Sequence, residues 1–322
     1  MTISREELRD AARKALGGEG LAPDAIRSWE QLVEMGWFAL TLPEDRDGLG
    51  LGAEALAAVH IELGRALVPG AAMAQMIAIE VLAAAPDFSG RDDILAAAVA
   101  GERITLSFDL HREDAREAMA DADLARHALL FSQDRIALAP VTSVDARPTW
   151  DEGRRLFDVT TGEETVVATG SDAQRIRQQA EASLLVALSA DSIGGAEAAL
   201  EMTVEYLKTR RQFDRPLALF QALKHRVADM RIAVSAAEAL LWNRAGRAAG
   251  ELTDLAALKA LATSTYLAVA EEAIQLHGGI GLTVEHPCHL FLKRAFLNAA
   301  LGGSADHWNE LVGKAALQSM VE

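Results

Sequence analysis

The sequence predicts a mainly α-helical chain with a small β-domain set in its middle. Three observations carry this. Half of the 322 residues are hydrophobic and alanine is abundant, which favours helix and supplies a large core. Over residues 1–100 and again over 171–322 the apolar residues recur at helical spacing. Between Gly101 and about Ala168 the period shifts towards two, in short runs separated by charged turns. The expected organisation is an N-terminal helical domain over 1–100, a shortened β-domain over 101–170 and a C-terminal helical bundle over 171–322.

In chain order, Ile3 to Leu16 reads as a first helix, with Ser4 as N-cap and acidic residues in the first turn. A second helix spans Ala22 to Gly36, with Pro23 suited to its first turn and Ile26, Trp29, Leu32 and Val33 on one face. Glycines 48, 50 and 52 then suit a tight loop; their spacing does not match a dinucleotide fingerprint and no βαβ pattern surrounds them. Helices follow over Ala53 to Leu67, Gly70 to Ala85 and Asp93 to Ala100. The β-type runs are Arg103 to Phe108, Ala128 to Ser132, Arg135 to Pro140 and Thr165 to Thr169, with a polar, helical insertion expected over Arg112 to Met119. Ala173 to Arg210 reads as one very long helix. Gly194 and Gly195 inside it cost about 1 kcal/mol each relative to alanine, which a close helix crossing or a close approach to a ligand would offset. Helices over Leu219 to Gly246 and Leu252 to Leu276, a glycine loop from His277, and helices over His289 to Leu301 and Ala305 to Val321 complete the chain.

The formal net charge of -16 argues against a nucleic-acid or anionic-membrane binder, since both need a positive field. A single cysteine, Cys288, excludes an intrachain disulfide framework and a multi-cysteine metal site. His277, His286 and His289 lie close in sequence, but the glycines and proline between them do not give helical ligand spacing, so no metal site is expected. No apolar run approaches the ~18 residues of a spanning helix, and the first residues do not read as a signal peptide. The expected location is the cytoplasm.

One stretch organises the last third. In Tyr206 to Met230, a helix ends, the chain breaks at Asp214-Arg215-Pro216, and a second helix restarts. Arg210, Arg211, Phe213 and Gln221 cluster at that corner. By itself this pattern suits either a solvated basic corner with a core phenylalanine or an anion-binding site.

The stretches RRQFDRPLALFQALKHRVADM (210–230) and QLHGGIGLTVEHPCHLFLKRA (275–295), with the Trp37 to Gly52 segment, resemble the acyl-CoA dehydrogenase family. The resemblance spans nearly the whole chain. It implies an all-α N-terminal domain, a β-domain and a C-terminal four-helix bundle. It also implies FAD as cofactor and desaturation of the Cα–Cβ bond of an acyl thioester, with a carboxylate taking the α-proton and the flavin accepting the β-hydride. The physical reading agrees with it. A pyrophosphate needs cations and N–H donors at close range, and glycines let backbone approach it. Arg210, Phe213, Gln221, Gln275, Gly278, Gly279, Gly281 and Ser304 are the expected cofactor-binding residues. The resemblance implies that these groups reach the FAD of a neighbouring subunit.

Other family features are missing. Glycine, Gly302, stands where the resemblance places the catalytic glutamate, and the alternative position on the long helix corresponds to about Leu184. Neither can take a proton. Glu181 and Asp191 flank Leu184 as candidate relocated bases; Asp191 reads otherwise as a polar residue on a partly exposed helix. The serine/threonine-rich flavin strand has only Leu106 to His111 near it, with Thr105, Ser107 and Ser132 as remaining hydroxyls, and the family's tryptophan-containing strand has no match. In keeping the cofactor clasp and losing the base, the chain resembles the shorter subunit of heteromeric (α2β2) actinobacterial steroid-type acyl-CoA dehydrogenases. Its expected partners are a longer homologous subunit, an acyl-CoA substrate and an electron-transfer flavoprotein; the short β-domain leaves room for a polycyclic acyl group. The rivals are a self-sufficient homomeric dehydrogenase and a non-catalytic CoA- or nucleotide-binding protein of the same fold. A flavoprotein oxidising a nitro compound or sulfur heterocycle has no residue pointing to it.

Overall fold

A computed structural model describes residues 4–16, 18, 20–246 and 252–319. The expected start at Ile3 and end at Val321 lie outside these. Ten α-helices occur among the described residues: α1 (Arg5–Leu16), α2 (Ala25–Glu34), α3 (Ala53–Arg65), α4 (Ala72–Ala84), α5 (Arg91–Val99), α6 (Gly170–Thr209), α7 (Gln221–Ala245), α8 (Leu252–His277), α9 (Cys288–Ala300) and α10 (Ala305–Ser319). Between α5 and α6 lie strands β1 (Ile104–Leu106), β2 (Met119–Ala120), β3 (His127–Phe131), β4 (Arg135–Arg147), β5 (Leu156–Thr161) and β6 (Thr165–Thr169). A hairpin of β7 (Arg211–Gln212) and β8 (Arg215–Pro216) separates α6 from α7. The chain is mainly helical with a β-sheet in the middle, as its sequence predicts.

By backbone contacts the chain divides into two compact units. The first comprises residues 1–21, 57–67 and 188–322. Its core joins Leu200 and Leu207 of α6, Met230 and Val234 of α7, Tyr266 and Val269 of α8 and Phe291 of α9. Ser4 caps α1 through a reciprocal pair: its Oγ accepts from Glu7 N at 3.2 Å and its own N–H donates to Glu7 Oε2 at 2.8 Å. The glycine pair in α6 marks a close helix crossing. A Cβ at Gly194 would stand 1.9 Å from the carbonyl oxygen of Ile61 on α3, and one at Gly195 would meet the Tyr266 ring at 2.4 Å. Gly64 answers from the other helix, where a Cβ would stand 2.1 Å from the Asp191 carbonyl oxygen. At one end of this crossing Arg9 donates to Glu62, Glu197 and Glu238 at 2.9, 3.0 and 3.1 Å. Arg65 binds Glu197 at 2.9 Å and Glu201 at 2.5 Å. The two buried carboxylates, Glu62 and Glu197, thus have cation partners, without which burial would be costly.

The second unit comprises residues 22–56 and 68–187. Asp24, and not a position in the first turn next to Pro23, begins α2: its carboxylate accepts from Ile26 N and Arg27 N, both at 3.0 Å. The loop at 48–52 winds closely about its own chain, since a Cβ at Gly48 would lie 2.1 Å from the Leu42 carbonyl oxygen. The sheet runs β1-β3-β4-β5-β2, with β6 also on β4. β1 pairs β3 in parallel and the other pairs are antiparallel. β4 runs seven residues past the expected stop at Pro140. Its first half pairs β3 and β6, its second half pairs β5, and the register shifts between Val141 and Ser143. The expected helix over 112–119 is absent. Asp114 and Ala118 adopt left-handed backbone at φ 46° and 53°, the Asp114 N–H donates to Phe131 O at 2.8 Å, and Met119 enters β2. These conformations are incompatible with a continuous right-handed helix.

The sequence showed no run approaching spanning length, yet α6 contains a window of mean hydropathy 1.3, long and apolar enough to cross a membrane. Of that window 89% is buried inside the fold, as a core helix requires.

Candidate functional site

The corner after α6 is a two-residue hairpin turn. Phe213 and Asp214 both take left-handed backbone, φ 53° and 62°, the pairing that matches the right-handed twist of two strands and usually selects asparagine and glycine. A phenylalanine there is strained, and the result is a side chain that is 85% exposed. Phe220 meets its edge at 6.1 Å between centroids, and the Arg215 guanidinium lies 4.0 Å over the Phe220 ring. Arg211 is turned back, donating to the Asp214 carbonyl at 2.8 Å. Arg210 holds the corner by its backbone alone: its N–H donates to Tyr206 O at 2.8 Å and its carbonyl accepts from Leu217 N at 2.9 Å. Its exposed side chain has no hydrogen bond or ion pair to any described residue.

The second motif continues α8 into a 3-10 turn over Gly278–Leu282, where the sequence suggests an open loop. Its glycines serve different ends. Gly278, at φ 66°, ends the helix in left-handed backbone, and a Cβ on Gly278 or Gly279 would meet nothing within 4 Å. Gly281 is buried, and a Cβ there would press on His277 Cβ at 3.0 Å and Ile274 O at 3.1 Å. Gly278 and Gly279 therefore leave room for a ligand, whereas Gly281 serves the packing of the turn. Gln275 and Gln221 are exposed. Ser304 is also exposed, but its Oγ accepts from His307 N at 3.3 Å and starts α10.

Behind both motifs lies a ring stack. The Tyr206 and His277 rings stack at 4.4 Å, and His286 tilts against His277 at 4.5 Å. The Tyr206 hydroxyl donates to the His277 carbonyl at 3.2 Å. His277 Nδ1 donates to Ala273 O at 2.7 Å, so the buried, unpartnered Nε2 carries no proton. His286 Nδ1 accepts from Cys288 N at 3.2 Å. Burial pushes both imidazoles below their usual pKa, and the Cys288 thiol up to about 12. His277, His286 and Cys288 bring a potential ligand atom each within 4.8 Å of one another. His289 is not in this group; its Nδ1 engages the His286 carbonyl at 2.9 Å. Both Nδ1 atoms of the group are already spent on backbone, and the thiol is held protonated.

The candidate bases are engaged within the chain. Asp191 is fully buried, not partly exposed. Its Oδ2 accepts from Asn298 Nδ2 at 2.7 Å, and Arg294 lies 3.8 Å from Oδ1. Glu181 is buried and accepts from His111 Nε2; this bond raises the His111 pKa. The pair joins α6 to the segment after β1 and is not evident from the sequence. Leu184 is buried.

At the Gly302 turn, both glycines are left-handed, φ 64° and 88°. A Cβ on Gly303 would stand 2.8 Å from Trp308 Nε1, which itself donates to Gly302 O at 2.8 Å. Lys259, wholly buried, donates to the carbonyls of Gly303 and of Ala299, the latter at 3.3 Å, and burial lowers its pKa to about 8. The Ala299 carbonyl lies in the last turn of α9 and needs such a partner, so the turn is sealed by a cation and an indole.

The remaining hydroxyls of the β-domain face inward. Thr105 donates to Ala120 O at 2.7 Å, Ser132 to Asp114 Oδ1 at 2.8 Å, and Ser107 Oγ accepts from Asp109 N at 3.3 Å.

The two sets of residues thus differ. An unpaired guanidinium, two amides, an open glycine turn and an exposed ring suit phosphates and a flat heterocycle presented from outside the chain. The hydroxyls and carboxylates that would serve a flavin ring or a proton transfer are occupied.

Comparison with known proteins supplies the family. Residues 2–102 match the acyl-CoA dehydrogenase N-terminal domain and 186–317 the C-terminal domain. The chain is 33% identical over 321 residues to acyl-CoA dehydrogenase IpdE2 of Mycolicibacterium smegmatis, covering 94% of this chain and 96% of that one. Against IpdE2 of Mycobacterium tuberculosis identity is 34%, over 85% and 81% of the two chains. In fold it is similar to a Tcur3481–Tcur3483 steroid acyl-CoA dehydrogenase variant, with TM-score 0.86, 24% identity and 99% of each chain covered. The ChsE4–ChsE5 complex of Mycobacterium tuberculosis gives TM-score 0.86 at 22% identity, with 98% of each chain covered. The cofactor of such enzymes is FAD, which the exposed donor set fits. This chain belongs to the acyl-CoA dehydrogenase family.

Proposed function

We propose that the chain is the shorter subunit of a heteromeric flavin-dependent acyl-CoA dehydrogenase and completes the FAD site of a longer homologous partner. The observation that carries this reading is the contrast between occupied and unoccupied groups. The Arg210 side chain has no hydrogen bond or ion pair to any described residue, while the side chains of Glu181, Asp191, Thr105 and Ser132 all have one. The bound flavin supplies the hydride acceptor. This chain contributes the Arg210 guanidinium to its phosphates, Gln275, Gly278 and Gly279 to backbone-close contact, and Phe213 and Gln221 to its adenosine half. The partner supplies the base and the ring pocket, so this chain has no catalytic base of its own. Two structurally similar proteins support the arrangement, the Tcur3481–Tcur3483 steroid acyl-CoA dehydrogenase and the ChsE4–ChsE5 complex. A steroid-derived acyl-CoA is the substrate, an electron-transfer flavoprotein the acceptor, and the cytoplasm the location.

One observation favours the self-sufficient alternative: Glu181 orients a half-exposed imidazole, His111, and a carboxylate–imidazole pair can accept a proton. The clasp is tested by Arg210→Ala in a complex co-expressed with a longer homologous acyl-CoA dehydrogenase chain. Charge-assisted hydrogen bonds contribute about 1.5–3 kcal/mol, so flavin affinity should fall about 10- to 150-fold. Unchanged flavin content rejects the clasp.

A further inference from the structure

The two cofactor motifs lie far apart in sequence, and Tyr206 bonds to both. Tyr206 ends four residues before Arg210, and its carbonyl accepts the Arg210 N–H at 2.8 Å. The same residue's hydroxyl donates to the His277 carbonyl at 3.2 Å. That carbonyl immediately precedes Gly278, one of the two glycines whose surroundings are open. It also belongs to the last turn of α8, where carbonyls lack helical partners. Tyr206 therefore fixes the amide of Arg210 through its backbone and the entry to the glycine turn through its side chain. The ring stack completes the strut. Tyr206 covers one side of His277, His286 lies against His277, and His277 is locked by its Nδ1 donation to Ala273. His286 in turn accepts from the N–H of Cys288, the first residue of α9.

We infer that Tyr206, His277 and His286 are positioning residues that hold the Arg210 corner and the Gly278–Gly279 turn at one fixed separation, matched to the phosphates of the partner's FAD. The inference rests on the clasp reading above. None of the three touches the cofactor; they act through Arg210 and the turn. A buried imidazole with an unprotonated, unpartnered Nε2 is a costly choice for a mere filler. It is explained when the ring is needed against both Tyr206 and His286, which also meet each other edge-on at 6.0 Å, while Nδ1 is committed to the helix end.

The test is a double-mutant cycle on flavin affinity in the co-expressed complex, read by fluorescence of FAD rebound to the flavin-stripped assembly. Tyr206→Leu removes ring and hydroxyl; Tyr206→Phe keeps the stack. The expected results are a loss of at least tenfold for Tyr206→Leu and a smaller loss for Tyr206→Phe, which keeps the stack but not the hydroxyl bond to the His277 carbonyl, with assembly size unchanged. Combined with Arg210→Ala, Tyr206→Leu should cost far less than the product of the two single losses, because an Arg210 no longer at the matched separation from the turn has little left to lose. Multiplicative losses, or a Tyr206→Leu complex with wild-type affinity, overturn the strut while leaving the clasp intact. An Arg210→Ala complex with wild-type affinity overturns the clasp and the strut together. If Tyr206→Leu fails to assemble, the cycle is run with His286→Leu, and the same outcomes decide it.

Discussion

Replacing Gly194 with alanine sets two effects of opposite sign against each other. Alanine in mid-helix is worth about 1 kcal/mol over glycine, and less freedom in the unfolded chain works in the same direction. On those grounds alone Gly194→Ala stabilises. The crossing with α3 reverses this. The new Cβ would stand 1.9 Å from the Ile61 carbonyl oxygen and 2.7 Å from its carbon, and both are backbone atoms with no rotamer to escape into. The two helices must part by about 1 Å at their closest point. Overpacking of this kind costs about 1–3 kcal/mol and sometimes more, and the facing Gly64–Asp191 contact opens with it. The net expectation is destabilisation by up to about 2 kcal/mol, lowering Tm by about 2–4 °C for each kcal/mol. Thermal unfolding of wild type and variant measures it, with Gly279→Ala as control, since a Cβ there meets nothing within 4 Å and should leave Tm nearly unchanged. A Gly194→Ala protein with raised Tm would refute the close crossing.

Further expectations can be measured separately. In the complex with a longer chain, Gly279→Ala should weaken FAD by about tenfold, or 1.4 kcal/mol, without changing assembly, as read by flavin titration; equal affinity would place the cofactor elsewhere. Lys259 has a folded pKa near 8 against a usual 10.5. Between those values the unfolded chain holds the extra proton, so its contribution to stability rises with pH. Wild type should gain on Lys259→Met by up to about 3 kcal/mol between pH 8 and 10.5, measured by denaturant unfolding across that range; a constant gap would show the ammonium to be solvated. The Glu181 bond raises the His111 pKa, so its stabilisation is full below the unfolded histidine value and lost as pH rises through the folded one. Glu181→Gln should lower the His111 pKa in an NMR titration and flatten that dependence; an unmoved titration would contradict the pair.

Much of this was legible in local pattern. Ser4 and Glu7 sit at capping-box spacing, and the α6 glycine pair announced a close approach because nothing else offsets two glycines in a long helix. Arg210, Phe213, Gln275 and the glycines at 278 and 279 were picked out through the family resemblance of their motifs, and all five lie exposed. What escaped the sequence depends on partners brought from far along the chain. Asp191 looks like an ordinary helix residue until Asn298, 107 residues later, buries and binds it. His111 meets Glu181 across 70 residues and Lys259 meets Gly303 across 44. Gly281 looked equivalent to Gly278 and Gly279, and only the curl of the turn onto Ile274 separates their roles. The 112–119 segment misled because its polar residues suit a helix surface, whereas left-handed backbone at Asp114 and Ala118 carries it into β2.

The most direct measurement is flavin stoichiometry. The chain would be purified alone and again after co-expression with a longer homologous acyl-CoA dehydrogenase chain, with FAD released and counted per protomer and bleaching by acyl-CoA followed in each. The account predicts a colourless, inactive protein alone and a flavin-loaded, substrate-bleached heteromer that loses its flavin when Arg210 is replaced by alanine. Full flavin loading and turnover by the chain alone would contradict it.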